Sequence, residues 1–433
     1  MSEVGVGFLG LVLVLLAFLT GIELGFAMAI AGFLGFGYLV SWKAALNLLA
    51  KDVFDVFASY GFTVIPLFVL MGQIAFHAGI ARRLYRAAFK FIGHIPGGLA
   101  MATVAGATVF KALCGSSPAT AATFASVAIP EMDRYGYDQK LSAGIVATVG
   151  TLGILIPPSV TLIVFAIITE QSIARLFLAG LLPGLLIAAF FLLIIYVWCR
   201  LDPTLGPCGE RSNWKERISS LPEVVWVGLI FLLVVGGMIE GLFTPTEAGS
   251  VGTFVVLLWT LLKKDLDLQG LVRSLAESLK ASCMVLFLIA GSTILGHFLA
   301  VTKIPLMAAE WIGQLGLHRN LIMLLIAAVY LLGGSFIDDL AFMVLATPIF
   351  YPVVLKLGFD PVWFGIVIGI TVMIGVVIPP VAINVFVVRN ITKIPFSVIY
   401  RGVTPFLISL LLCGLLLFLF PQLALFLPSL LLR

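Results

Sequence analysis

The stretch Gly153-Ile154-Leu155-Ile156-Pro157-Pro158-Ser159 returns in the second half of the chain as Gly375-Val376-Val377-Ile378-Pro379-Pro380-Val381. Setting Asp138 against Asp360 also sets Gly153 against Gly375, the two Ile-Pro-Pro triplets against each other, Gly180 against Gly402 and Pro183 against Pro405, with no gap. Upstream, each copy carries a small-residue turn, Gly115-Ser116-Ser117 in one and Gly334-Ser335-Phe336 in the other. Proline lacks a backbone donor and clashes with the preceding turn, so Pro-Pro breaks an apolar helix. Apolar segments broken at corresponding places in two halves point to a midplane binding site in a secondary transporter.

Composition sets the solvent. The chain has 433 residues, of which 61% are hydrophobic and 11% charged, with mean hydropathy +1.19. A water-soluble globular protein is excluded, and the fold class expected is an all-α polytopic membrane protein. The net charge of +4 does not indicate a nucleic-acid partner, because the basic residues sit in short loops between apolar runs and report topology. The five cysteines (Cys114, Cys199, Cys208, Cys283 and Cys413) lack CxxC or His spacing, which argues against a disulfide framework, a metal centre or a cofactor. The run from Val6 lacks a basic leader, so it is expected to be a retained span.

Hydropathy predicts ten crossings, near 5–20, 22–40, 60–80, 139–168, 176–199, 222–241, 244–262, 280–300, 361–388 and 398–420. Stretches 99–130 and 321–355 split around their small-residue turns into arms of about 15 residues, shorter than a span, and are drawn as re-entrant hairpins. The first half (1–200) then holds a hairpin and the broken span 139–168. A cytoplasmic linker follows at 201–221. The second half (222–433) repeats the pattern with the hairpin at 321–355 and the broken span 361–388. Seventeen basic residues, among them Arg82, Arg83, Arg86, Arg134, Arg211, Lys263 and Arg389, fall on one face. The other face receives Lys43, Lys51, Arg175, Lys303, Arg319, Lys356 and Arg433. The richer face is cytoplasmic, which leaves both termini outside the cytoplasm and makes the repeats inverted. Segments 44–57 and 266–277 have the mixed pattern of helices lying at the interface.

Irregular backbone at membrane depth is tolerated only where protein or a wet cavity satisfies it, so the four breaks form the candidate site. Gly115, Ser116, Ser117, Pro118 and Thr120 make the first tip, and Gly334 and Ser335 the second. Pro157, Pro158 and Ser159, with Thr161, follow the first break; Pro379, Pro380 and Asn384 mark the other. Hydroxyls beside helix-end carbonyls offer oxygen-only ligation, which suits a hard cation such as Na+ around Ser116, Ser117 and Ser335. Close helix packing is the competing use of such small residues. Asp338 and Asp339 sit just past the second tip, where a carboxylate marks function or faces water. Lys111 lies one turn before the first tip. It can counter a substrate carboxylate, stand in for a bound cation, or snorkel to the interface. Glu247 in Phe243-Thr244-Pro245-Thr246-Glu247 is expected to cap a helix. Glu170 is expected in water, and His77, His94, His297 and His318 near span ends without partners.

These motifs resemble the large membrane subunit of the tripartite ATP-independent periplasmic (TRAP) transporters. The likeness rests on Gly115-Ser116-Ser117-Pro118-Ala119-Thr120, on Gly153 through Ile156-Pro157-Pro158-Ser159 to Leu176-Phe177 and Pro183-Gly184, on Phe243-Thr244-Pro245-Thr246-Glu247, and on Asp338-Asp339 and Pro379-Pro380. It implies an elevator-type symporter that uses sodium to import organic acids across the bacterial inner membrane. A small four-span membrane subunit and a periplasmic solute-binding protein would be its partners, and no enzyme activity is implied. Lys111 stands where the resemblance implies a small or apolar residue, and Ala382 where glycine is frequent. The alternatives are a stand-alone carboxylate or ion antiporter of related architecture and, remotely, an intramembrane aspartyl protease using Asp338 or Asp339 with Asp138 or Asp360.

Overall fold

The computed structural model describes the chain apart from residues 1, 210, 306, 308–309, 311–316 and 433. Arg433, placed above on the non-cytoplasmic face, lies outside the described residues. The described elements are all helical. The first stretch comprises α1 (Glu3–Leu19), α2 (Leu24–Leu39), α3 (Trp42–Ala58), α4 (Val64–His77) and α5 (Ile80–Ile92). The first hairpin follows as α6 (Gly98–Lys111) and α7 (Ser117–Arg134), and the first broken segment as α8 (Gln139–Val149) and α9 (Val160–Ile168). Next come α10 (Ile173–Leu201), α11 (Trp214–Ile239), α12 (Pro245–Leu262) and α13 (Leu268–Thr302). The second hairpin is α14 (Arg319–Phe336) and α15 (Asp339–Lys356), and the second broken segment α16 (Pro361–Gly375) and α17 (Ile383–Thr392). The chain ends in α18 (Phe396–Leu419) and α19 (Gln422–Leu431).

Local chemistry explains the boundaries. Asp138 and Asp360 cap α8 and α16: an Asp138 carboxylate oxygen accepts from Lys140 N at 2.7 Å, and one of Asp360 accepts from Val362 N at 2.8 Å and Trp363 N at 3.0 Å. Thr244 and Glu247 form a reciprocal capping box at the start of α12. Each Ile-Pro-Pro interrupts its helix, and both Pro-Pro bonds are cis.

Three expectations need correction. The arms of the second hairpin are 18 residues each, and they count among the eight helices that, within the described residues, are long and apolar enough to cross a membrane. Their length of about 27 Å nearly matches the hydrocarbon core of about 30 Å. The apolar run simply begins earlier, where the His318 ring accepts from Asn320 N at 3.3 Å. Segment 266–277 is no separate interface helix. Asp267 caps a 35-residue helix that continues without a breaker to Thr302. The polar linker is also shorter than drawn, because α11 starts at Trp214. It is pinned under the first hairpin by Gly97 N to Gly206 O at 2.9 Å, Gly209 N to Gly93 O at 2.8 Å and Asp138 N to Leu205 O at 3.0 Å.

Packing sorts the helices into two groups. In one, α13 lies along α2 and α4, and α12 along α4. In the other, the hairpins and broken segments pack on one another and on α10 and α18. Small residues set the closest crossings: a Cβ on Gly402 would meet Lys140 C at 2.8 Å and Gly144 Cα at 3.0 Å. On α5, Arg83 pairs with Glu223 at 3.1 Å and Asp265 at 2.7 Å, and Lys263 joins Glu223 at 2.7 Å, which ties this connecting helix to α11 and the end of α12.

Among the described residues, Ala382 is the one buried non-glycine residue whose turn demands the left-handed region, with φ 52°. Ala382→Val is expected to destabilise by about 1–3 kcal/mol, because a β-branched side chain is ill-suited to that conformation. Ala382→Gly is expected to be tolerated. Thermal unfolding of the purified variants checks both.

Candidate binding site at the four breaks

The first tip turns through residues 112–116. The Ser116 hydroxyl accepts from Ala119 N at 3.3 Å and caps α7. Its carbonyl accepts from Thr120 Oγ1 at 3.0 Å and from Lys111 Nζ at 2.7 Å. Lys111 is fully buried, so it does not snorkel. Ser117 and Thr120 are buried, whereas Ser116 is exposed. Gly115 lets the tip approach its own break, since a Cβ there would lie 3.2 Å from Val160 N. Pro118 sits in the first turn of α7, where a missing N–H costs nothing.

The second tip is tighter. Only Ile337 and Asp338 separate its helices. The Ser335 hydroxyl donates to Leu332 O at 2.7 Å, while the Ser335 carbonyl accepts from Val381 N at 3.1 Å in its own break. Gly334 backs onto Gly375, where an added Cβ would lie 2.6 Å from Gly334 C. Asp338 occupies the cap position of α15 without a side-chain cap bond, and Asp339 is buried. Among the described residues no lysine, arginine or histidine lies within salt-bridge distance of either carboxylate.

Side chains cross between the halves. Asn384, fully buried after the second Pro-Pro, donates from Nδ2 to Ser117 Oγ at 3.0 Å. Reciprocally, Thr161 after the first Pro-Pro donates to Asp339 Oδ2 at 3.5 Å. Each tip therefore meets its own break through backbone and the opposite break through a side chain. Ser159 sits apart from this exchange. Its hydroxyl donates to Ile154 O at 2.7 Å and accepts from Leu162 N at 3.3 Å, which caps α9. Gly150 is a site residue the sequence reading missed. A Cβ on it would press on Asn384 Nδ2 at 3.1 Å and on Ser117 O at 2.9 Å. Its only sequence signal is its place between the capping aspartate and the Pro-Pro.

Both tips face the other helix group. Cys114 and Ser116 border a small cavity against Phe68 and Gln73 of α4. At the second tip, Ile337, Asp338 and Ala341 line a cavity of about 300 Å³ with Glu23 and Met284. The histidines do have partners, contrary to expectation: Glu277 for His77 at 3.0 Å, Arg217 for His94 at 3.5 Å, Asp52 for His297 at 3.5 Å. These come from distant segments, which is why local spacing did not show them. Glu170 is exposed, as expected.

Over residues 9–423 the chain matches the family model described as the tripartite ATP-independent periplasmic transporter, DctM component. The chain belongs to that family. The C4-dicarboxylate TRAP transporter large permease DctM of Pseudomonas aeruginosa is 37% identical over 389 residues, covering 89% of this chain and 90% of that one. The sialic acid large permease SiaM of Vibrio cholerae is 31% identical and covers 95% of both chains. In fold, the YdaH transporter of Alcanivorax borkumensis superposes with TM-score 0.58 at 12% identity, over 88% of this chain and 89% of that one. A DctM-component permease is an integral inner-membrane solute transporter and not an enzyme. Asp138 and Asp360, the partners the protease alternative would need, each cap a helix.

Proposed function

We propose that this chain is the permease of a tripartite system that imports an organic acid by sodium symport. A periplasmic solute-binding protein delivers the substrate, and a small four-span membrane subunit completes the membrane complex. The observation that carries the reading is the reciprocal crossing of Ser117 with Asn384 and Asp339 with Thr161. It locks both hairpins and both broken segments into one unit, which is what a body moving as a whole requires. That unit is the transport domain, and the helices around α2, α4, α12 and α13 are the scaffold along which it slides. Both termini lie on the periplasmic side.

Charge compensation gives the coupling. A bare carboxylate is costly in hydrocarbon, so cation and helix N-termini must offset the substrate's charge before the domain moves. At the second tip, Asp339, Thr161 and Ser335 offer the oxygen-only donors a hard cation prefers. The relatives' names, C4-dicarboxylate and sialic acid, are both carboxylates, and this supports an organic acid as substrate.

Uptake by the three-component system in proteoliposomes is expected to follow an imposed inward Na+ gradient and to fall to background without it. Indifference to every imposed cation gradient would sink the symport reading. The chain alone is expected to transport nothing; uptake by the purified permease without partners would favour the stand-alone antiporter.

A further inference from the structure

The two tips are chemically unequal. Under the repeat, Gly153 corresponds to Gly375. Gly375 is bare because Gly334 backbone packs on it. Gly153 is bare for a different reason: a Cβ there would collide with Lys111 Nζ and lie 2.8 Å from its Cδ and Cε. The lysine head thus fills the space between the first tip and the turn Gly150–Ile154. It binds Ser116 O at 2.7 Å, the carbonyl expected to serve a cation. Lys111 also closes the C-terminal end of α6, where the helix dipole favours positive charge. Among the described residues no carboxylate lies at salt-bridge distance of it; Asp339 acts on it only from farther off, so no direct ion pair accounts for its burial. Burying an ammonium is costly unless the site is built for a cation.

We infer that the Lys111 ammonium is a tethered cation that fills the cation position of the first hairpin, so that this hairpin binds no sodium ion. The residues there do not fit Na+, because the space and the Ser116 carbonyl are already taken. At the second tip, among the described residues, no lysine, arginine or histidine lies at salt-bridge distance of Asp338 or Asp339, so no tethered cation competes there. The inference rests on the sodium-symport reading, and it predicts one coupling ion fewer than two symmetric sites would give.

The test counts ²²Na+ bound per full-length chain in nanodiscs. Lys111→Ala vacates the position and is expected to bind about one Na+ more than the unsubstituted chain. An unchanged count in folded Lys111→Ala protein overturns the inference. Sodium binding by the unsubstituted chain tests the symport reading separately, since that comparison does not involve the increment. Should Lys111→Ala fail to fold, Gly153→Ala serves instead. With Lys111 present, the new methyl is expected to push the ammonium off Ser116 O and raise bound Na+ above that of the unsubstituted chain; an unchanged count in folded Gly153→Ala protein overturns the inference.

Discussion

Asp339→Asn is expected to lower the apparent Na+ affinity of uptake by about 10- to 100-fold while leaving the amount of folded permease unchanged. The substitution is isosteric. The amide oxygen can still accept from Thr161, whose hydroxyl lies 3.5 Å from the carboxylate, so packing between the second tip and the first break is preserved. What is lost is a charge-assisted contact worth about 1.5–3 kcal/mol, or roughly one to two decades in affinity. Asp339 is buried and has no cationic partner at salt-bridge distance among the described residues, so no protein cation occupies its carboxyl oxygens in place of a ligand. Uptake measured across a sodium titration decides the matter. Unchanged sodium dependence would make the aspartate a packing residue and remove the cation from the second tip.

Gly402→Val is expected to abolish recovery of folded, monodisperse protein. The added atoms would press on Lys140 and Gly144 backbone, with Lys140 C at 2.8 Å and Gly144 Cα at 3.0 Å from the first of them. Backbone in a packed helix does not rotate aside, so α8 and α18 must separate. Overpacking of about 1–3 kcal/mol or more per insertion then falls on the contact that seats the first broken segment. Gly414→Ala is the control, because its nearest neighbour is the Ile370 side chain at 3.4 Å, an ordinary contact. Size-exclusion profiles and Tm separate the two. Equal behaviour of both variants would mean that the α8–α18 crossing opens to accommodate the added atoms.

The origin of each feature is visible in these residues. Pro157-Pro158 and Pro379-Pro380 break their helices because the missing donor acts within one turn, wherever the segment lies. Asp138 and Asp360 start helices for an equally local reason, a carboxylate reaching the next free amides. Hydropathy named the bilayer as solvent, and the spacing of breaks picked out the four segments whose tips and breaks touch one another in the structure. Elsewhere local patterning misled. The polar residues of 266–277 suggested a separate helix, yet nothing there stops α13 from running on.

Pairing across the chain was a different matter. Ser117 and Asn384 are 267 residues apart, and Thr161 and Asp339 are 178 apart. No periodicity or cap links them, so hydroxyl-rich tips and breaks were legible as a set but not as reciprocal partners. Lys111 shows the same divide. The sequence put a lysine near the first tip and left three uses open; its full burial beside Gly153, with Ser116 O as acceptor, removed the interfacial one. Short-range signals act through backbone geometry over a turn or two, and they determined where the helices start, stop and break. Which polar groups share a buried site depends on how whole segments stack, and only the tertiary structure decided that.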